Sequence, residues 1–332
     1  MRILSSLLLA AAAPPSLLVA GLAAPARTPA SAQRPPGGGP GVDRVVDLCY
    51  ASSLAYLPIG DIPSSEYAAR VPNLRPIAQV VEPSTESGAT VFLWGGRGGN
   101  GDGDGGGEAE DTVVVACRGS ATPKNFATNL RFGLKPLAES VLSAGGTSGG
   151  DGVRDGRGEV LAHEGFQEAA EGLWKMLEPT LLGDVMGGRK SRIVFTGHSL
   201  GGGTAELIAL HAQASLSSGT KMEGSNVVVD EVTTFGGPII GNGAFAAFVD
   251  ETALRDATVR HIVHGADPIL ANNGPLWGRL GFRRSGSEVR CDPDEARVYA
   301  GGEEYDVAVR RVPWAIIDHC KYLGIFVGPR LW

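Results

Sequence analysis

Hydrophobic positions recur along this chain in two registers. Phe166, Ala169, Ala170, Leu173, Trp174 and Leu177 are spaced three and four apart, which predicts a helix with one apolar face that Pro179 ends. The run Thr112 to Ala116 is continuous and apolar through Val113-Val114-Val115, as in a strand buried on both faces of a parallel sheet. Ile77 to Glu82 and Ala89 to Trp94 read as strands joined by a turn at Pro83 to Gly88. Val227 to Phe235 and Thr258 to Val263 are further strands, with a helix at Ala244 to Val249 between them. Asp43 is positioned to cap a helix through Val45, Val46, Leu48, Cys49 and Leu54. Residues 270 to 313 are loop-rich, with short strands expected at Glu288-Val289-Arg290 and Val307 to Val312, and a last helix from about Trp314 that carries His319. Strands alternating with helices imply an α/β fold built on a mostly parallel central sheet flanked by helices.

The pattern breaks in three places. Residues 1–32 hold Arg2, an apolar run from Ile3 to Ala13, the break Pro14-Pro15, a second run from Leu17 to Ala24, and the small-x-small site Ala30-Ser31-Ala32. No acid appears before Asp43, and the segment reads as a secretory leader, which makes the expected location secreted. Two other readings stay open. Ile3 to Ala24 approaches the length of a membrane anchor, although Pro14-Pro15 would break it. An acid-poor start also fits a plastid leader, for which Arg and Ser are sparse here. Residues 33–42 (QRPPGGGPGV) are a linker, and residues 43–332 are expected to form the folded domain. Gly95 to Glu110 and Gly145 to Gly158 are glycine-rich loops. The first resembles a calcium-binding repeat, but Gly103 stands where an acid is needed, so a solvated loop is expected.

Composition narrows the function classes. A net charge of −7 without a long basic run favours no nucleic-acid partner, and none is expected. No Cys/His cluster has zinc spacing. The four cysteines, Cys49, Cys117, Cys291 and Cys320, allow three complete pairings in a secreted protein. Cys117 lies within an apolar strand and reads as a buried thiol, and Cys291 with Cys320 is the pairing considered.

The candidate chemistry centres on Ile193 to Gly203, where an apolar β-branched run reaches Gly197-His198-Ser199-Leu200-Gly201 and a helix-forming run follows to about Ala214. This is the strand–turn–helix context of a nucleophile elbow. The same pattern in Gly146-Thr147-Ser148-Gly149-Gly150 has neither strand nor helix around it and reads as loop. A serine hydroxyl needs a positioned base and a third group to orient that base. In α/β hydrolases these follow in the order serine, acid, histidine. Of six histidines only His319 follows all plausible acids, so His163, His198, His211, His261 and His264 are set aside. Asp267 is the acid expected, on a loop after the strand Thr258 to Val263 and stiffened by Pro268. Asp318 neighbours His319 and does not face it on a helix. Asp292, Asp294 and Glu295 lie in irregular sequence, and Asp250, Glu251 and Asp256 flank a surface helix. An oxyanion hole needs backbone N–H groups, one from Leu200 and one from the loop after Thr112 to Ala116, where Ser120 is the candidate.

Several segments together resemble the class 3 (fungal-type) lipases of the α/β-hydrolase fold. They are Val114 to Ser120, Asn125 to Leu130, His163 to Phe166, Thr196 to Gly203, Thr234 to Pro238 with Gly241-Asn242, Asp267-Pro268 and Asp318 to Tyr322. The resemblance implies a triad of Ser199, Asp267 and His319, with Ser120 and Leu200 at the oxyanion. It also implies a lid over about Ala121 to Leu130 and a lipid ester as substrate, an acylglycerol first, at a lipid–water interface. No cofactor, metal or stable protein partner is implied. Phe126 stands where such lipases often carry Trp, and Ile239 replaces a basic residue. The alternatives are a phospholipase A1, a galactolipase, a feruloyl-type esterase, or a lipase-like binding protein without catalysis. Members of that last class usually lack a triad residue, and this chain lacks none.

Overall fold

A computed structural model describes residues 40–95, 111–120, 133–142, 158–185, 191–218, 227–265, 267, 278, 281–291, 297–300, 303–306, 319–323 and 325–329. The chain divides into two units, 1–36 and 37–332, and all described residues belong to the second. In order, the elements are α1 (Pro40–Leu54), β1 (Leu74–Val81), β2 (Gly88–Trp94), β3 (Asp111–Cys117), β4 (Leu134–Pro136), α2 (Glu139–Leu142), β5 (Leu161–His163), α3 (Glu164–Glu178), β6 (Ser191–His198), α4 (Leu200–Ser217), β7 (Val227–Phe235), β8 (Gly241–Asn242), α5 (Gly243–Phe248), β9 (Thr258–His264), β10 (Phe282–Arg283), β11 (Ser287–Cys291), β12 (Arg297–Ala300), β13 (Glu303–Asp306), β14 (Lys321–Tyr322) and β15 (Ile325–Phe326).

Among the described residues, nine strands form the main sheet in the order β1-β2-β3-β6-β7-β9-β11-β12-β13. The five at its centre, β3, β6, β7, β9 and β11, run parallel. Antiparallel pairs extend it on both sides, β1 and β2 at one edge and β12 and β13 at the other. Side-chain alternation explains why the central runs are apolar throughout. Val113, Val115 and Cys117 of β3 join the core under α3 and α4, while Val114 and Ala116 join the core under α1. Both faces of the sheet are therefore covered, as parallel sheets require. The apolar stripe expected between Phe166 and Leu177 is the buried face of α3, which ends at Glu178; the chain continues from Pro179 to Val185 in a wider helical turn.

Two expectations need adjustment. Helix α1 begins at Pro40, so Asp43 lies inside it and is not its cap; proline is well suited to a first helical turn, where its missing N–H would have had no helical partner. The four cysteines are free thiols, and Cys291 and Cys320 are not bonded. Cys291 is buried in the core under α1, while Cys320 is half-buried in the turn before β14. The expected lid, both glycine-rich loops over most of their length, the expected strand Val307 to Val312 and the start of the last helix lie outside the described residues.

One bulge ties α1 to the sheet. Ile193 pairs with Val229 but Val194 pairs with Glu231, which leaves Asp230 as the extra residue of β7. Arg44 of α1 then reaches both acids, Asp230 at 2.6 Å and Glu231 at 2.5 Å. Arg260 also pairs with Glu231, so this buried carboxylate is balanced by two guanidinium groups.

Candidate active site

Strand β6 delivers Ser199 to the carboxyl edge of the sheet, and α4 leaves from it directly. Ser199 has φ 57° and ψ −127°, a left-handed backbone that a side chain rarely adopts. The surroundings hold it there: its N–H donates to the Phe235 carbonyl at 3.0 Å, and its own carbonyl accepts from Gly202 N–H at 2.9 Å. The turn is too tight for a side chain at Gly197, where a Cβ would lie 2.3 Å from the Gly201 carbonyl oxygen.

The three residues singled out by chain order meet at this edge. Ser199 Oγ is 2.8 Å from His319 Nε2, and His319 Nδ1 is 2.7 Å from Asp267 Oδ2. Asp267 follows β9 with its N–H bonded to the His264 carbonyl, and is completely buried. His319 stands just ahead of the β14–β15 hairpin and is also buried. An ionised carboxylate only accepts, so it holds the imidazole proton on Nδ1 and leaves the Nε2 lone pair toward the serine. Tyr322 donates to the same Asp267 oxygen at 2.5 Å. Burial and the adjacent Asp267 charge raise the phenol well above its ordinary pKa, so it stays a donor. Sequence reasoning missed this second donor; its signal is the spacing of Tyr322 three residues after His319.

The oxyanion candidates flank the serine. Leu200 opens α4, so its N–H is among those that helix geometry leaves without a helical acceptor. Ser120 lies on the loop that leaves β3. That loop runs against the elbow, since a Cβ on Gly119 would fall 3.1 Å from Ser199 Cβ. His198, set aside as a base, does not reach the serine hydroxyl: its Nδ1 is 2.8 Å from Tyr56 Oη and its Nε2 is 2.7 Å from the His319 carbonyl oxygen. His163 packs edge-on against Phe166. No group of His, Cys, Asp and Glu among the described residues could hold a metal ion.

A second serine, histidine and carboxylate grouping lies within the fold. Glu206 of α4 accepts a hydrogen bond from Ser285 Oγ, which is 3.4 Å from His261 Nε2, and His261 Nδ1 is 2.8 Å from Thr234 Oγ1. Each of these side chains is buried, so no substrate reaches Ser285. Burial pushes Glu206 up to about 7, against the pull of Ser285 and Arg284.

The family model described as lipase (class 3) matches residues 114–272. This stretch belongs to the class 3 lipase family. The lipase of Rhizomucor miehei is 28% identical over 232 residues, covering 67% of this chain and 54% of that protein. A secreted mono- and diacylglycerol lipase of Fusarium solani is 29% identical over 161 residues, covering 48% of this chain and 39% of its own length. The chain therefore spans about half or less of the curated relatives it matches. The solved structure of Rhizomucor miehei triacylglyceride lipase superposes with a TM-score of 0.59 at 20% identity, over 88% of this chain and 97% of that one. The fold of this class 3 lipase segment and its surroundings is thus the fungal lipase fold, an α/β hydrolase.

Proposed function

We propose that this protein is a secreted lipase that hydrolyses carboxylic esters of the acylglycerol class through a serine acyl-enzyme, working at a lipid–water interface. The observation that carries the reading is the hydrogen-bonded chain Ser199–His319–Asp267 on a strand–turn–helix elbow. The relatives named as a lipase and as a secreted mono- and diacylglycerol lipase support the substrate class and the secretion. A leader over residues 1–32, and a linker that gives way to α1 at Pro40 and not at residue 43, ahead of a catalytic domain, fit the same reading.

In this scheme Ser199 Oγ attacks the ester carbonyl carbon while His319 Nε2 takes its proton. The carbonyl electron pair moves onto oxygen, and the N–H groups of Leu200 and Ser120 stabilise that charge. The intermediate then collapses. The bond to the leaving alcohol breaks, and His319 returns the proton to the departing oxygen. Water, deprotonated by His319, cleaves the acyl-enzyme by the same steps in reverse order. Asp267 keeps the imidazole in the productive tautomer and stabilises the imidazolium.

The test uses the chain without residues 1–32, on a soluble short-chain ester and on emulsified tri- and diacylglycerol, phospholipid and galactolipid. Wild type is expected to favour acylglycerols and to take a fluorophosphonate label on Ser199, and Ser199→Ala to lose both label and turnover. Full activity in Ser199→Ala would refute the nucleophile. An unlabelled but folded wild type would point to a lipase-like binding protein, and faster turnover of phospholipid or galactolipid would reassign the substrate.

A further inference from the structure

Tyr56 lies just beyond α1, far in sequence from every catalytic segment, yet its hydroxyl sits between two of them. It accepts the Gly119 N–H at 2.9 Å and stands 2.8 Å from His198 Nδ1. His198 Nε2 is in turn 2.7 Å from the His319 carbonyl oxygen, with the two imidazole rings 4.8 Å apart. The directions of these bonds follow from donor and acceptor chemistry. A carbonyl oxygen only accepts, so His198 carries its proton on Nε2. A neutral imidazole then offers a lone pair at Nδ1, and Tyr56 O–H must donate to it. The phenolic oxygen keeps a lone pair for Gly119 N–H. Burial, reinforced by the neighbouring His319, depresses His198 to about 3, and burial raises Tyr56, so both side chains stay neutral in the forms this chain of bonds needs.

Resting on the triad reading above, we propose that Tyr56 and His198 are positioning residues, a directed hydrogen-bond chain that holds the oxyanion loop, the elbow and the base in mutual register. The three points it joins are each one covalent step or less from a reacting group. Gly119 precedes Ser120, His198 precedes Ser199, and the carbonyl belongs to His319 itself. Neither Tyr56 nor His198 touches the substrate. Their effect falls on the transition state, because oxyanion donors and a general base tolerate little displacement. Removing the Tyr56 hydroxyl leaves Gly119 N–H without its partner and frees the loop that carries Ser120.

The test measures turnover of a soluble short-chain ester, the rate of fluorophosphonate labelling at Ser199, and Tm. Tyr56→Phe should lower kcat about tenfold, less than the loss of a direct oxyanion donor, with KM within about twofold and labelling slowed in parallel. His198→Gln, whose amide N–H can still donate to the His319 carbonyl, should retain more activity than His198→Ala. Adding Tyr56→Phe to His198→Ala should cost little more than His198→Ala alone, since one chain broken once is already broken. A folded Tyr56→Phe with wild-type kcat, or independent effects in the double variant, would overturn the proposal. If Tyr56→Phe does not fold, His198→Gln against His198→Ala decides, and equal kcat values reject it. Ser199→Ala separates this inference from the one beneath it. An active Ser199→Ala removes the triad reading, whereas an inactive one beside a fully active Tyr56→Phe removes only the positioning role.

Discussion

Asp267 receives both His319 Nδ1–H and Tyr322 O–H on one oxygen of a completely buried carboxylate. In that setting each donor helps to fix the charge, and charge-assisted bonds of this kind are worth about twice neutral ones. Asp267→Asn keeps the shape but offers an N–H where an acceptor is needed. The imidazole is then driven to the tautomer with its proton on Nε2, facing Ser199, and can no longer act as base. Turnover of a soluble ester is expected to fall on the order of 10³–10⁴-fold with Tm little changed. Tyr322→Phe removes one of two donors and leaves the tautomer alone. Its expected cost is about tenfold in kcat, near 1.4 kcal/mol, with KM unmoved. An unaffected rate in Asp267→Asn would move the acid elsewhere, and in Tyr322→Phe it would make the phenol a packing group. Ser199, Asp267 and His319 could be singled out in the sequence because motif and chain order are one-dimensional signals. Tyr56 and His198 could not, because the contacts that give them meaning reach 142 and 121 residues along the chain.

Helix α4 carries the elbow at its N-terminus and Glu206 in its interior, so a titrating carboxyl is built into the element that positions Ser199, the nucleophile proposed above. The folded protein holds the Glu206 proton up to about pH 7, against an ordinary carboxyl value of 4.5. A raised acid pKa contributes stability that is fully present below the unfolded value and is lost as pH rises through the folded one. Relative to Glu206→Gln, the wild type should therefore lose roughly 3 kcal/mol of stability as pH rises from about 4.5 to about 7. Comparing urea midpoints of the two proteins at several pH values checks this, since histidines common to both cancel. A constant difference across that range would show that folding does not raise the Glu206 pKa above its unfolded value. The helix and strands of this region were legible in sequence, because α3 obeys a local helical period and β3, β6, β7 and β9 are local apolar runs. The Glu206–Ser285–His261–Thr234 cluster was not, since it joins α4, the β10–β11 connection, β9 and β7 by polar contacts with no periodic signature.

At the scale of the whole molecule, stability comes from the two cores on either side of the sheet and not from covalent staples. The four cysteines are distributed over α1, β3, β11 and the turn before β14, and all are free thiols. A chain of this length buries enough apolar surface to fold without disulfides, which small secreted domains cannot do. Adding reductant should therefore leave Tm unchanged, and thiol titration in denaturant should count four. In the native protein their reactivity should be graded. Burial pushes Cys117 and Cys291 up to about 12 and Cys49 well above its ordinary value, while Cys320 rises only to about 11 and is the one left half-buried. Since the thiolate is the reactive form and must also be reached, Cys320 should be alkylated first and the other three only as the protein opens. Mass mapping after a timed pulse of iodoacetamide reads this order directly. Cys320 stands next to His319, so its alkylation should proceed with loss of ester turnover, and prior occupation of Ser199 by a fluorophosphonate should slow it. A fall of Tm in reductant, or early alkylation of Cys49 or Cys291, would mean that the α1-side core is held together differently from the packing described above.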